Sequence, residues 1–416
     1  MLLTATKSQI THTHTQIHTL VVWCVPFLYP FAFCVQLTHT HTKMTACQDW
    51  PEPVIRVQAL AASGLATIPE RFIKPKSQRP TNSNNYAPKT NFSQIGHHKN
   101  NTTNSNIPVI DMKHIYGGDE GKRAETLRLV SEACQEWGFF QVVNHGVSHE
   151  LMKGAREVWR EFFHQPLDVK EVYANTPLTY EGYGSRLGVK KGAILDWSDY
   201  FFLHYMPCSL RDQAKWPALP TSLRSIISEY GEQIVKLGGR ILEIMSINLG
   251  LREDFLLNAF GGENDLGACL RVNFYPKCPQ PDLTLGLSSH SDPGGMTILL
   301  PDENVSGLQV RRGEDWVTVK PVPNAFIINM GDQIQVLSNA TYKSIEHRVI
   351  VNSDKDRVSL AFFYNPRSDI PIQPAKELVT KDRPALYPPM TFDEYRLYIR
   401  TRGPSGKAQV ESLTSK

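Results

Sequence analysis

Several things are scarce in this 416-residue chain. No CxxC pair and no tight cysteine framework occurs: the seven cysteines (24, 34, 47, 134, 208, 269 and 278) are scattered and odd in number. That excludes a disulfide-stapled scaffold and a cysteine-built zinc site, and it points to free thiols in a reducing compartment. Charge of one sign is lacking too. With 44 basic against 41 acidic residues the net charge is only +3, which gives no basis for binding nucleic acid or an anionic membrane. No internal repeat is evident. What is there is an ordinary globular composition, 41% hydrophobic and 20% charged, long enough for one large domain or two ordinary ones.

The first 43 residues contain no acidic residue but five of the 14 histidines. "THTHT" occurs at Thr11–Thr15 and again at Thr38–Thr42, the pattern a repeated CA dinucleotide gives when translated. A translated leader, with initiation at Met44, is the expectation. Two functional readings compete: a signal anchor on the apolar run Leu20–Leu37, interrupted by Pro26 and Pro30, and metal binding by the His repeats. Residues 81–106 are rich in Asn, Ser and Thr and nearly free of aliphatic side chains. Such a segment buries too little surface to offset its ordering entropy and is expected to be a flexible linker. The Asn101 sequon within it would go unused in a cytosolic chain.

Elsewhere the periodicity is informative. A short amphipathic helix is expected around Val54–Ser63, a strand over Ile107–Met112, helices over Ala124–Glu136 and Leu151–Phe163, and a buried strand within Gly138–Gly146. From Ser222 to Asn248 apolar residues recur every three or four positions, predicting one long helix stopped by Gly250. After Gly267 eight short β-rich runs follow, separated by Gly, Pro, Asn and Asp, which suggests a jelly roll or barrel. A last helix follows the Thr391/Glu394 capping box and stops at Gly403.

The chemistry lies on those strands. His290 and Asp292 are two apart in "LSSHSD", so on a strand they share a face; His347 lies in a separate run, "SIEHRVIV". Two imidazoles and one carboxylate with open positions beside them make a site for Fe(II) that also admits a chelating cosubstrate and O2. In "DRVSL", Arg357 and Ser359 share a face ten and twelve residues past His347. An inward Arg needs an anion, and a guanidinium with a hydroxyl seats the far carboxylate of a dicarboxylate such as 2-oxoglutarate. Arg271 stands four residues before Tyr275, with Asn273 between, on one face. It suggests a second anion, a substrate carboxylate. Phe392 with Arg396 one helical turn on, Phe363 and Phe202 are the candidate walls of a pocket for a small, mostly apolar acid.

With these motifs the chain resembles the plant 2-oxoglutarate/Fe(II)-dependent dioxygenases, from about Ile107 to Tyr398. "GFFQVVNHGV" and "NFYPKCPQP" look like that family's signatures, and "PEPVIRVQALAASGLATIPERFIKP", "GAILDWSDYFFLHYMP" and "MTFDEYRLYIRTRGPSGKAQVESL" carry a closer likeness to its jasmonate-induced oxygenases. The resemblance implies an α+β fold, a distorted double-stranded β-helix (jelly roll) core flanked by helices, the long one at its back. It implies His290, Asp292 and His347 as iron ligands and Asn273, Tyr275, Arg357 and Ser359 as 2-oxoglutarate contacts. It further implies hydroxylation of jasmonic acid to 12-hydroxyjasmonic acid, held by Arg271, Arg396, Phe363, Phe392 and Phe202. The same chemistry on a flavonoid and a catalytically silent jasmonate-binding protein are the alternatives. The expected organisation is a non-native or disordered leader (1–43), an N-terminal segment (44–80), the linker (81–106), an N-terminal oxygenase region (107–220), backing helices (221–262), the β-helix core with its C-terminal helix (263–403) and a tail (404–416). A cytoplasmic enzyme, with the nucleus as a second compartment and without membrane or nucleic-acid partner, is expected, its oligomeric state open.

Overall fold

Period-two patterning after residue 267 becomes strand in all eight expected runs, although several are shorter than their sequence pattern. The computed structural model describes residues 52–80, 106–115, 117–177, 179–185, 190–402 and 407–414. The leader with its apolar run, residues 81–105 of the linker and the Gly403 helix stop lie outside the described residues. Among the described residues no helix is long and apolar enough to cross a membrane.

The strands of the two larger sheets, in chain order, are β1 (Val109–Asp111), β2 (Phe139–Val143), β3 (Gly182–Gly184), β4 (Asp199–Met206), β5 (Gly267–Tyr275), β6 (Leu287–His290), β7 (Met296–Leu300), β8 (Leu308–Arg312), β9 (Asp315–Thr318), β10 (Phe326–Met330), β11 (His347–Val349) and β12 (Arg357–Asn365). They form a major sheet in the order β1-β2-β10-β7-β12-β5-β4-β3 and a minor sheet in the order β6-β11-β8-β9. Every pairing is antiparallel except β1 with β2. This is the jelly-roll core the alternating runs suggested. β4 was not foreseen, yet "DYFFLHYM" alternates and pairs along most of its length with β5.

The helices are α1 (Val57–Ala62), α2 (Glu120–Glu136), α3 (His149–His164), α4 (Leu167–Glu171), α5 (Leu223–Asn248), α6 (Phe255–Ala259), α7 (Gly262–Asp265), α8 (Asp332–Leu337), α9 (Phe392–Arg402) and α10 (Ala408–Glu411). α2 starts four residues before the expected Ala124, because the Asp119 side chain caps it by accepting from the Lys122 amide at 3.0 Å. α5 ends as read: Gly250 takes φ 72°, and the Leu251 amide returns to the Ser246 carbonyl at 3.0 Å. The capping box of α9 forms in both directions between Thr391 and Glu394.

One face of the major sheet is apolar. Phe201, Leu203 and Tyr205 of β4, Leu270, Val272 and Phe274 of β5, and Leu360, Phe362 and Tyr364 of β12 are buried in one cluster with α2, α3 and α5. Each such side chain contributes about 2 kcal/mol on leaving water. α5 approaches closely because two of its residues are glycine. A Cβ at Gly231 would overlap the Tyr205 ring, and one at Gly238 the Tyr364 ring. The same strands, read at the alternate positions, line the opposite face, and there polar residues concentrate.

The N-terminal segment docks on buried polar groups. The Asp199 carboxylate accepts from the first amides of α1, Val57 and Gln58, each at 2.9 Å. Val57, Ile68 and Phe72 pack with Trp197, Tyr275, Val310 and Val349 in a second buried cluster.

Candidate active site

Strand register assembles the inner face. His290 and His347 are direct cross-strand partners in the minor sheet, which brings their rings to 4.3 Å between centroids. β6 ends at His290, so Asp292 lies just beyond the strand rather than on it, but its carboxylate still turns to the same point. Its Oδ1 is 3.4 Å from His290 Nε2 and 3.6 Å from His347 Nε2. One ligand atom from each of the three lies within 4.8 Å of the others. These side chains therefore converge; they do not point apart or into water.

Each is aimed by a second partner. The Nδ1 of His290 meets the Ser288 carbonyl at 2.8 Å, and that of His347 the Ile345 carbonyl at 3.2 Å. Carbonyls only accept, so Nδ1 carries the proton and Nε2 keeps its lone pair for a cation. Asp292 Oδ2 accepts from Thr297 at 2.5 Å and from Asn329 at 2.8 Å, leaving Oδ1 to face the imidazoles. Burial pushes the Asp292 carboxyl up, but the His347 and His290 imidazoles outweigh it and hold it well below the usual range. Burial and the neighbouring His290 push His347 down to about 4, so it is neutral and ready to ligate near neutral pH. Burial lowers His290, but its hydrogen bond to the Asp292 carboxylate and that group's charge outweigh burial and raise it, so a bound cation would displace its Nε2 proton. Two imidazole Nε2 atoms, one carboxylate oxygen and a fixed Nδ1–H fit Fe(II).

Arg357, the expected carboxylate seat, is buried and has no carboxylate partner among the described residues. Its Nε donates to the Val305 carbonyl at 3.2 Å and its Nη1 to Ser359 at 3.3 Å, and it lies 5.1 Å over the Tyr275 ring. β12 and β5 pair Arg357 with Tyr275 and Ser359 with Asn273. Four residues singled out in the sequence thus form one square of the sheet. A buried guanidinium with only neutral partners is costly unless an anion completes it, and a dicarboxylate does so.

The next rung pairs Phe202 with Arg271 and Arg271 with Ala361. Arg271 donates Nε to Asn273 at 2.7 Å and stacks 4.1 Å over the Tyr200 ring. No described carboxylate pairs with it. The rung beyond holds His204, Cys269, Phe363, Thr297 and Asn329 in register. Phe363 and Phe202 are half-buried, and Phe202 packs edge-on to His204 with centroids 5.1 Å apart. Arg396 and the buried Phe392 sit together on α9, guanidinium 5.4 Å from ring. The Arg396 side chain is 37% exposed, and its guanidinium is 3.6 Å from Asp393. Its charge reaches the same rung: burial raises the Cys269 thiol to about 12, and Arg396 is the foremost charge opposing that rise.

Thr297, Asn329 and Tyr200 were missed from sequence. Asn329 carried a signal: it is the lone amide in the apolar run "AFIIN", and a polar residue buried mid-strand needs a partner. Thr297 and Tyr200 are ordinary strand residues, and only register reveals them.

Comparison with known proteins agrees with this geometry. Residues 266–366 match the family model of the 2OG-Fe(II) oxygenase superfamily. Residues 107–219 match that of the non-haem dioxygenase in morphine synthesis N-terminal region. The chain is 62% identical over 368 residues to jasmonate-induced oxygenase 2 of Arabidopsis thaliana, covering 88% of this chain and 95% of that one. It is 38% identical over 343 residues to a leucoanthocyanidin dioxygenase of Malus domestica, covering 82% of this chain and 93% of that one. A crystal structure of JOX2 in complex with 2OG, Fe and JA superposes with a TM-score of 0.79 at 62% identity, over 88% of this chain and all of that one.

Proposed function

Since the chain belongs to the 2OG-Fe(II) oxygenase superfamily and catalyses oxygenation dependent on Fe(II) and 2-oxoglutarate, we propose that its substrate is jasmonic acid and its product 12-hydroxyjasmonic acid, so that it lowers the active hormone. The observation that carries the substrate is Arg271. It is a second inward guanidinium, one rung from the 2-oxoglutarate seat, stacked on Tyr200 and lacking any described carboxylate partner. Flavonoid substrates offer phenols and a ring carbonyl but no carboxylate to neutralise such a residue. The relative at 62% identity is a jasmonate-induced oxygenase, and the leucoanthocyanidin dioxygenase stands at 38%.

His290, Asp292 and His347 hold iron by Nε2, Oδ1 and Nε2. Bound there with 2-oxoglutarate and O2, the iron supplies the oxidising power that cleaves a C–H bond. The protein supplies placement. Arg357 and Ser359, with Tyr275 and Asn273 behind them, fix the tail of 2-oxoglutarate. Arg271 and Arg396 take the substrate carboxylate, and Phe202, Phe363 and Phe392 enclose its apolar body, so the far end of the acid points at the metal. Immobilising one end of a small acid turns a diffusing encounter into a single repeated geometry, which is what selects one carbon over its neighbours.

The test is product analysis after anaerobic loading with Fe(II) and 2-oxoglutarate, then O2, with jasmonic acid against its methyl ester and a flavonoid panel. Stoichiometric succinate and 12-hydroxyjasmonic acid from the free acid are expected. Equal turnover of acid and ester would remove Arg271 from its role. Turnover of a flavonoid alone would replace the substrate. Binding of jasmonic acid without succinate release would make the chain a sensor.

A further inference from the structure

We propose that Lys74 is a positioning residue for the iron ligand His290, which makes the segment before residue 80 a working part of the catalytic unit. The proposal rests on the reading of His290 as a ligand. Lys74 lies outside both family-model matches, which cover 107–219 and 266–366. Its side chain is only 2% exposed. The ammonium donates to Asp196 Oδ1 at 2.8 Å and to Ser288 Oγ at 3.0 Å, and Ser288 Oγ donates to the same Asp196 oxygen at 2.6 Å. Ser288 is the residue whose carbonyl fixes the Nδ1 of His290. Two polar groups from two other stretches therefore close on the residue that orients the ligand.

The need for such a clamp follows from topology. β6 is an edge strand of four residues, paired only with β11, and that pairing is irregular between His347 and Val349. A short edge strand with one imperfect neighbour holds a side chain loosely. The chain leading into β6 is held by backbone from the N-terminal segment and from the stretch before β4. The Lys74 amide donates to the Leu283 carbonyl and the Trp197 amide to the Leu285 carbonyl, both at 2.8 Å. The Lys74–Asp196–Ser288 contact continues this attachment to within two residues of His290. Asp196 is also among the charges acting on the Tyr275 phenol in the 2-oxoglutarate square. Stability alone explains such a group poorly, since a buried ion pair usually gains little over apolar packing. Its return is orientation.

Two full-length variants, Lys74→Met and Ser288→Ala, are compared with the parent chain. Each is titrated anaerobically with Co(II) in the presence of 2-oxoglutarate. The visible spectrum reports ligand geometry, and a thermal melt reports folding. Removing a group that orients a metal ligand typically weakens binding ~10- to 100-fold. We expect a loss near the lower end, ~10-fold, for Lys74→Met, and a several-fold loss with an altered cobalt spectrum for Ser288→Ala, which keeps the Lys74–Asp196 pair and so melts near the parent. KM for the acid substrate stays unchanged in both. A Ser288→Ala chain matching the parent in affinity and spectrum overturns the proposal, whatever Lys74→Met does, including failing to fold. A parent chain that binds no Co(II) overturns instead the reading of His290 as a ligand.

Discussion

The metal end and the proposed substrate end of the inner face are built differently. At the metal and keto-acid end every functional group lies on or next to a strand, is largely enclosed and has a fixed second partner: His290 on Ser288, His347 on Ile345, Asp292 on Thr297 and Asn329, Arg357 on Val305 and Ser359. At the substrate end the groups come from two sources. Arg271 and Phe363 belong to the sheet, but Phe392 and Arg396 ride on α9, near the end of the chain, and Arg396 is at the rim beside Asp393. The cofactors are the same for every turnover, and the seat proposed for them is set by sheet register. The seat proposed for the substrate is shared between the sheet and a helix outside it.

The comparison is broken most severely at the carboxylate. Asp292→Ala leaves two neutral imidazoles and no anion to offset the cation, and should abolish both Fe(II) binding and succinate release; detectable turnover in this variant would detach the triad from the chemistry. Arg357→Ala should be next. It leaves a buried carboxylate without its partner, worth about 3 kcal/mol, hence a 2-oxoglutarate requirement raised ~100-fold with metal affinity nearly intact. Titrating 2-oxoglutarate into Co(II)-loaded protein separates the two effects. Asn329→Leu sharpens the picture rather than breaking it. Thr297 still holds Asp292 Oδ2, so metal affinity should fall by only ~10-fold, the low end for such partners.

How much of this was legible beforehand divides along the same line. His290, Asp292, His347, Arg357 and Ser359 could be named because each is an expensive residue in an apolar strand run, and spacing of two places neighbours on one face. Asn273 and Tyr275 came with the family resemblance. That His290 faces His347, or that Tyr275 faces Arg357, was not legible, because register between distant strands leaves no mark in local sequence. For the same reason β4 and its Tyr200 were missed, and so was Lys74, which reads as one more surface lysine in "FIKPK" until the fold buries it. Strand ends were misjudged too: Asp292 lies past β6 because the chain bends there toward the Pro293-Gly294-Gly295 turn.

The smallest expected effect separates the two arginines of the substrate end. Arg271 is pre-oriented: its Nε is committed to Asn273 and its plane lies on Tyr200. A lysine offers neither a planar stack nor a fork of donors, so Arg271→Lys should cost nearly as much as Arg271→Ala, about 2 kcal/mol or ~30-fold in KM for jasmonic acid. Uncoupled consumption of 2-oxoglutarate should persist in both. Arg396 is set differently, on a helix rather than a strand. It is a third exposed, its guanidinium lies over Phe392, and Asp393 competes for it. Exposed charges of this kind contribute about 0–1 kcal/mol, so Arg396→Ala should raise KM only ~3-fold, and Arg396→Lys should restore most of that. The measurement is KM for jasmonic acid across the four variants at two salt concentrations. Salt should weaken the Arg396 contribution and leave that of Arg271 nearly unchanged, because only the exposed charge is screened. If Arg396→Ala proves as damaging as Arg271→Ala, or insensitive to salt, then α9 closes over the bound acid and the substrate end is as rigid as the metal end once occupied.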